Sequence, residues 1–329
     1  MFKQLHRPRR NRKSAAIRNL SEETQLTVND LILPLFLVEG SKQKQPIEAM
    51  PGVYRYSMDE LQKVVARAKE LGINAIALFP ALEDASKDSM ATESRNPEGL
   101  LQRTLRELKK NHPEVALITD VAMDPYSSDG HDGIVEEGVI LNDETLEVLC
   151  KMAVSQAKAG ADIVAPSDMM DGRVKAIREA LDNEGFEDVG ILSYTAKYAS
   201  CFYGPFREAL DSAPKSGDKK TYQMNPANRR EGLRELQLDL REGADMVMVK
   251  PALSYLDIIS DIKKRSTVPV AAYNVSGEYA MVKAACEKGW LDEKSSVLEI
   301  LTSIKRAGAD IILTYHALDV AEWLNQSSS

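Results

Sequence analysis

Two lysines close runs of apolar residues, Ile191-Leu-Ser-Tyr-Thr-Ala-Lys197 and Asp245-Met-Val-Met-Val-Lys250-Pro. An ammonium at the carboxyl end of a buried strand is desolvated, and desolvation pulls a lysine pKa below its ordinary ~10.4. The neutral amine so formed attacks carbonyl carbon. Two such strands in one sheet would also set the ammonium groups against each other, a second way of freeing the amine. The alternative for a lone strand-end lysine is that its head group snorkels to water. Two lysines leaving two apolar runs favour chemistry.

A second cluster lies upstream, where the stretch from Asp120 to Asp132 holds four carboxylates (Asp120, Asp124, Asp129, Asp132) and His131 in thirteen residues. Oxygen-rich donor sets of this kind suit Mg²⁺ or Ca²⁺ better than Zn²⁺. A solvated loop built on Asx turns has the same composition. Downstream of Lys197, residues 198–229 are rich in Gly, Pro, Lys, Asp and Ser and run far beyond the usual βα connection. Such a segment over a barrel mouth reads as a lid. Arg207 and Lys219-Lys220 supply cations that could meet a substrate carboxylate, although ordinary exposed loop charges have the same pattern.

The frame that positions these residues follows from short apolar runs alternating with amphipathic helices. Strands are predicted over 31–38, 73–80, 115–123, 162–166, 190–197, 245–250, 268–275 and 310–315. Between them, a capping box Ser57-Met-Asp-Glu60 predicts a helix that buries Leu61, Val64, Val65, Ala68 and Leu71 and stops at Gly72. Further helices are expected over 100–110, 142–159, 174–181, 230–241 and 254–264. The echo Ala159-Gly-Ala-Asp-Ile-Val164, Glu242-Gly-Ala-Asp-Met-Val247 and Ala307-Gly-Ala-Asp-Ile-Ile312 sets a glycine cap between helix and strand each time. Eight βα units without a break in composition predict an α/β fold, a closed (β/α)₈ TIM barrel spanning 31–329. No glycine-rich phosphate fingerprint follows the first strand, which argues against a dinucleotide fold. In a barrel, function gathers where strands end. That rule selects Asp120, Asp124, His131, Asp132, Ser167, Asp168, Lys197, Lys250, Ser276 and Tyr315.

Composition narrows the class. With 43% hydrophobic and 28% charged residues among 329, the chain reads as globular. A net charge of −8 argues against nucleic acid, and no apolar run approaches the ~20 residues of a membrane helix. The start, Met-Phe-Lys-Gln-Leu-His, lacks the apolar stretch of a secretory signal, so a cytoplasmic location is expected. Of three cysteines, Cys150 and Cys286 follow apolar helical patterns, and packing is favoured for Cys201 too, since no second cysteine stands near it. Residues 1–30 are polar, carry the basic run Arg7-Pro-Arg-Arg-Asn-Arg-Lys13 and show no helical or strand period. They are expected to be a disordered tail or an arm on a neighbouring subunit.

Ser193-Tyr-Thr-Ala-Lys-Tyr-Ala-Ser200, Phe202-Tyr-Gly-Pro-Phe-Arg207, Tyr222-Gln-Met-Asn-Pro-Ala-Asn-Arg-Arg230, Met248-Val-Lys-Pro251 and Val275-Ser-Gly-Glu-Tyr-Ala-Met281 closely resemble the delta-aminolevulinic acid dehydratase (porphobilinogen synthase) family. The resemblance runs from about Pro8 to Trp323. It implies a lyase of tetrapyrrole (heme, chlorophyll) biosynthesis that condenses two 5-aminolevulinate molecules to porphobilinogen, without an organic cofactor. It also implies a homo-octamer in which residues 1–30 wrap a neighbour. By motif, Lys250 would form the Schiff base that carries intermediate and product, and Lys197 would bind the other ketone. Arg207 and Lys219 would clamp one carboxylate, and Ser276 and Tyr315 the other. Zinc-using members carry three cysteines after the third strand, where this chain has Ala122, Asp124 and Asp132, so zinc thiolate ligation is excluded there. Asp124 and Asp132 would hold Mg²⁺ weakly or no ion, while Glu235 matches the glutamate of an allosteric Mg²⁺ site. Its spacing alone reads as an exposed helix carboxylate. Apart from the resemblance, a class I aldolase, for which Ser276-Gly277 is a thin phosphate site, and a non-catalytic metabolite-binding barrel stay open.

Overall fold

In the computed structural model, which describes residues 4–210 and 212–327, the predicted barrel closes. Its strands are β1 (Leu31–Leu37), β2 (Ala75–Pro80), β3 (Ala116–Val121), β4 (Ile163–Pro166), β5 (Gly190–Lys197), β6 (Met246–Lys250), β7 (Val270–Asn274) and β8 (Ile311–Thr314). Each pairs in parallel with the next, and β8 returns to β1 through Leu31 and Ile32. Helices α1 (Met58–Glu70), α2 (Leu100–Asn111), α3 (Asn142–Ala159), α4 (Arg173–Asn183), α5 (Gly204–Leu210), α6 (Glu231–Glu242), α7 (Leu256–Lys263), α8 (Ser276–Glu287), α9 (Glu293–Ala307) and α10 (Ala317–Ser327) accompany them. The sequence pattern had not resolved α5, α8, α9 or α10. None of the described helices is long and apolar enough to cross a membrane.

Alternation along each strand divides two cores. Leu31, Leu33, Leu35 and Leu37 pack outward on the helices, while Ile32 and Phe36 join Phe79, Leu192, Tyr194, Met248 and Tyr273 inside the barrel. The Gly-Ala-Asp echo acquires a structural meaning. Asp162, Asp245 and Asp310 accept backbone N–H bonds from Leu117, Ile191 and Val270 at 2.7, 2.8 and 2.9 Å, fixing where neighbouring strands start. Six of the eight strands begin one or two residues later than their apolar runs do, whereas β1 and β5 begin with them.

Two local expectations fail. Ser57 does not cap α1; its hydroxyl bonds Asp59 at 2.5 Å and accepts from the Gln43 N–H at 2.8 Å, because a short hairpin, Lys44–Pro46 with Tyr54–Tyr56, crosses there. The N-terminal segment is not devoid of helix: Pro8–Arg12 forms a 3₁₀ turn and Ala15–Leu20 an α-helix whose first turn Ser14 caps. Neither buries a residue in this chain, and Leu5 and Leu20 stay exposed.

Candidate active site

A one-residue irregularity aims the two lysines together. Leu192 and Tyr194 point into the barrel, so strict alternation would send Ala196 inward and Lys197 out to the helices. Between Val247 and Val249 the register with β5 shifts, so that β5 carries an extra residue. Ala196 then joins the outer core, and Lys197 pairs with Lys250 at the mouth. β-bulges re-aim side chains in this way.

Both lysines are 6% exposed, which rules out snorkelling. Four rings surround the Lys250 Nζ, with centroids at 5.1 Å (Tyr194), 5.1 Å (Tyr203), 5.0 Å (Phe206) and 4.7 Å (Tyr273). Burial, then the charge of Lys197, brings the Lys250 pKa down to about 7. Lys197 donates to the Ser167 carbonyl at 2.5 Å and lies 3.9 Å from Asp132. Thus one amine sits in an aromatic cage and the other is anchored by polar atoms.

Behind them lie buried carboxylates. Burial raises Asp120 despite the charge of Lys197, and it raises Asp168 to about 7 despite Arg173. Asp124 and Asp132 share the Lys219 ammonium at 3.1 and 3.2 Å. Burial would raise both. Lys197 and Lys219 outweigh it at Asp132, which is the ionised partner, whereas the charge of Asp132 adds to burial in holding Asp124 up. The cation seated between these carboxylates is therefore Lys219, predicted as a substrate clamp.

Residues 198–210 and 212–229 lie across the mouth. Tyr203 and Phe206 reach Lys250, and the Tyr203 hydroxyl donates to its carbonyl at 3.1 Å. Ser276, at the start of α8, accepts from the Phe206 N–H at 3.0 Å and donates to the Phe202 carbonyl at 3.3 Å. Arg55 of the hairpin holds the end of α5 through the Ala209 and Glu208 carbonyls at 2.6 and 2.8 Å. His131 joins the Tyr222 hydroxyl (3.0 Å) and the Ser216 carbonyl (2.9 Å). Tyr315 stacks on Phe36 and shares a 2.9 Å hydrogen bond with Tyr273. Arg207 is half-buried on α5, with its charge felt at Tyr203. Cys201 departs from expectation: it is exposed on this segment, whereas Cys150 and Cys286 pack half-buried against the core.

Glu235 lies apart, on the helix that precedes β6, and it is half-buried rather than exposed. Burial, then Asp239, Asp171 and Glu231, lifts its pKa to about 7. Arg173, which sequence reasoning missed as an unremarked helix start, reaches Asp239 at 3.7 Å and Asp168 at 3.8 Å. It also donates to the Ser193 hydroxyl and the Tyr194 carbonyl, each at 3.2 Å.

Fold and mouth together define a (β/α)₈ barrel whose paired buried lysines suit carbonyl chemistry. The family model for delta-aminolevulinic acid dehydratase matches residues 5–323. Chloroplastic delta-aminolevulinic acid dehydratase of Physcomitrium patens is 58% identical over 320 residues, covering 97% of this chain and 74% of that one. The Bacillus subtilis delta-aminolevulinic acid dehydratase is 53% identical over 324 residues, 98% and 99% of the two chains. A crystal structure of the Toxoplasma gondii enzyme (porphobilinogen synthase), in complex with the reaction product porphobilinogen, superposes with a TM-score of 0.97 at 55% identity, over 98% of this chain and 92% of that one. The chain belongs to the delta-aminolevulinic acid dehydratase family.

Proposed function

We infer that this chain is a porphobilinogen synthase, a hydro-lyase of tetrapyrrole biosynthesis that joins two 5-aminolevulinate molecules with loss of two waters. The observation that carries the chemistry is the pairing of Lys197 with Lys250 in the mouth, with the Lys250 amine desolvated among four rings. In this reading the Lys250 amine adds to one ketone, the C–N bond forms, and the carbonyl oxygen departs as water with uptake of one proton to leave an iminium. The cage suits both states: apolar surroundings favour the free amine beforehand, and ring faces attract the cation afterwards. Lys197 binds the second ketone in the same manner. Asp120, whose pKa burial raises against the pull of both ammonium charges, is the carboxylate suited to take up protons released beside them.

Arg207 with Lys219 is the proposed clamp for one substrate carboxylate, and Ser276 with Tyr315 for the other. An incoming carboxylate must draw Lys219 away from Asp124 and Asp132, so binding and rearrangement of this ion triad go together. A closed segment over the mouth excludes water from hydrolysable imines. The donor set also bears on the metals. With Lys219 already between Asp124 and Asp132, a divalent ion there fits poorly, and no thiolate is available for zinc. Asp171, Glu231 and Glu235 line one cavity, and Mg²⁺ taken up there would supply charge neutralisation. Glu235, Glu231 and Asp171 would hold it. A homo-octamer, assembled through the arm of residues 1–30, and a cytoplasmic location complete the proposal.

Borohydride trapping with 5-aminolevulinate tests the reading. Covalent label on Lys250, located by peptide mass spectrometry, is the expected result; absence of label on both lysines would refute it and leave a binding barrel.

A further inference from the structure

Behind Tyr315, three helices meet at a group the mouth chemistry does not use. Glu293 opens α9, His316 follows Tyr315, and Asp319 lies in the first turn of α10. Ligand atoms of Glu293, His316 and Asp319 lie within 4.8 Å of one another. Ligands about 2.0–2.2 Å from one ion stand about 3–4 Å apart, so small side-chain rotations would close the set. His316 is 2% exposed, and its Nδ1 has no hydrogen-bond partner. A buried ring nitrogen left so pays for desolvation without compensation, which an incoming ligand would relieve. Its ring packs on Tyr279 at 4.4 Å, a contact that orients the imidazole but offers its nitrogens nothing.

Lys283 is the cation now facing these groups, ion-paired to Glu293 at 2.6 Å with its side chain 20% exposed. We propose that Glu293, His316 and Asp319 form a binding site for a borderline divalent ion such as Zn²⁺ or Co²⁺, and that the Lys283 ammonium closes this site when the metal is absent. One neutral imidazole and two carboxylates neutralise a dication, and imidazole selects such ions over Mg²⁺. Metal entry displaces Lys283, which can swing to water from the surface of α8. The site is separate from the mouth but not isolated, since Tyr279 contacts both His316 and Tyr315 (5.8 Å).

Full-length protein in excess Mg²⁺, titrated with Co²⁺ and followed by visible absorption and calorimetry, tests this. One tight Co²⁺ per chain is expected, weakened at least about tenfold by His316→Ala and by Asp319→Asn. Lys283→Met should tighten binding, because the competing ammonium is gone. If His316→Ala does not fold, Asp319→Asn and Lys283→Met decide the matter. Wild-type protein without such binding, Co²⁺ affinity unchanged by both ligand substitutions, or Lys283→Met that binds no more tightly would overturn the proposal.

Discussion

Lys250 and Lys197 sit side by side but differ in surroundings, and the difference sets what each substitution should do. Lys250→Met removes the caged amine, so turnover is expected to fall at least about a thousandfold in a porphobilinogen assay. Lys197→Met should leave a small residual rate, since one imine can still form; near-wild-type rates in either variant would refute the two-lysine mechanism. The Lys250 pKa of about 7 gives a sign for pH. Below it the amine is protonated and cannot attack, so kcat/KM should fall tenfold per pH unit on the acid side of about 7. A pH profile flat from neutral down to the ordinary carboxylate range would contradict that assignment. Both lysines were legible because each ends an apolar run. Their common orientation was not: strict alternation turns Lys197 away, and only the extra residue in β5 brings it back. The aromatic cage was equally hidden, since Tyr203 and Phe206 reach Lys250 from the segment across the mouth and Tyr273 from β7, contacts distant in sequence that no local period encodes.

At the scale of elements, the eight strands were readable because apolar runs and glycine caps are local signals, whereas α8 buries Ser276, Gly277 and Glu278 beside Tyr279 and Val282 and so carries no clean apolar stripe. Ser276-Gly277, read from sequence as a thin phosphate site, has another purpose. A Cβ on Gly277 would stand 2.6 Å from the Phe202 carbonyl oxygen and 2.7 Å from its Cα, so glycine is what lets the segment over the mouth lie against α8. Gly277→Ala must push that backbone away, taking Tyr203 and Phe206 with it. The expected outcome is at least about a tenfold loss in kcat/KM with little change in Tm, because the barrel core is untouched. Kinetics and thermal melts on the same variant check this, and wild-type kinetics would show that the segment tolerates the shift. Less borohydride label in the variant, at equal substrate, would tie the loss to imine formation.

Across the whole molecule, the proposals concern assembly through the N-terminal segment and control at Glu235. Pro8–Arg12 and Ala15–Leu20 bury nothing in their own chain, and Arg9, Arg10 and Arg12 stand in the 3₁₀ turn of a protein with net charge −8. Deleting residues 1–13 is therefore expected to give smaller oligomers and lower specific activity, measured by light scattering and assay; an unchanged octamer would make the segment a mere tail. Glu235 carries the last prediction. Its pKa stands near 7 because of burial and then the charges of Asp239, Asp171 and Glu231, and a dication there would relieve that repulsion. The effect has a physical route inward. Arg173 feels the charges of Asp239 and Glu235 and holds the Ser193 hydroxyl and the Tyr194 carbonyl, next to the extra residue that aims Lys197. With Mg²⁺ neutralising Glu235 and its neighbours, Arg173 is freer to pair with Asp168 and to keep the β5 end in its productive register. Because an effector shifts an equilibrium only through differential affinity, the ion should favour this ordered state without touching substrate. Activity is then expected to rise with Mg²⁺ and to resist zinc chelators, and Glu235→Ala should lose the rise while keeping basal turnover. Titrations of both proteins with Mg²⁺ decide it: an undiminished response in the variant, or strict dependence on zinc, would remove Glu235 from the control of the enzyme.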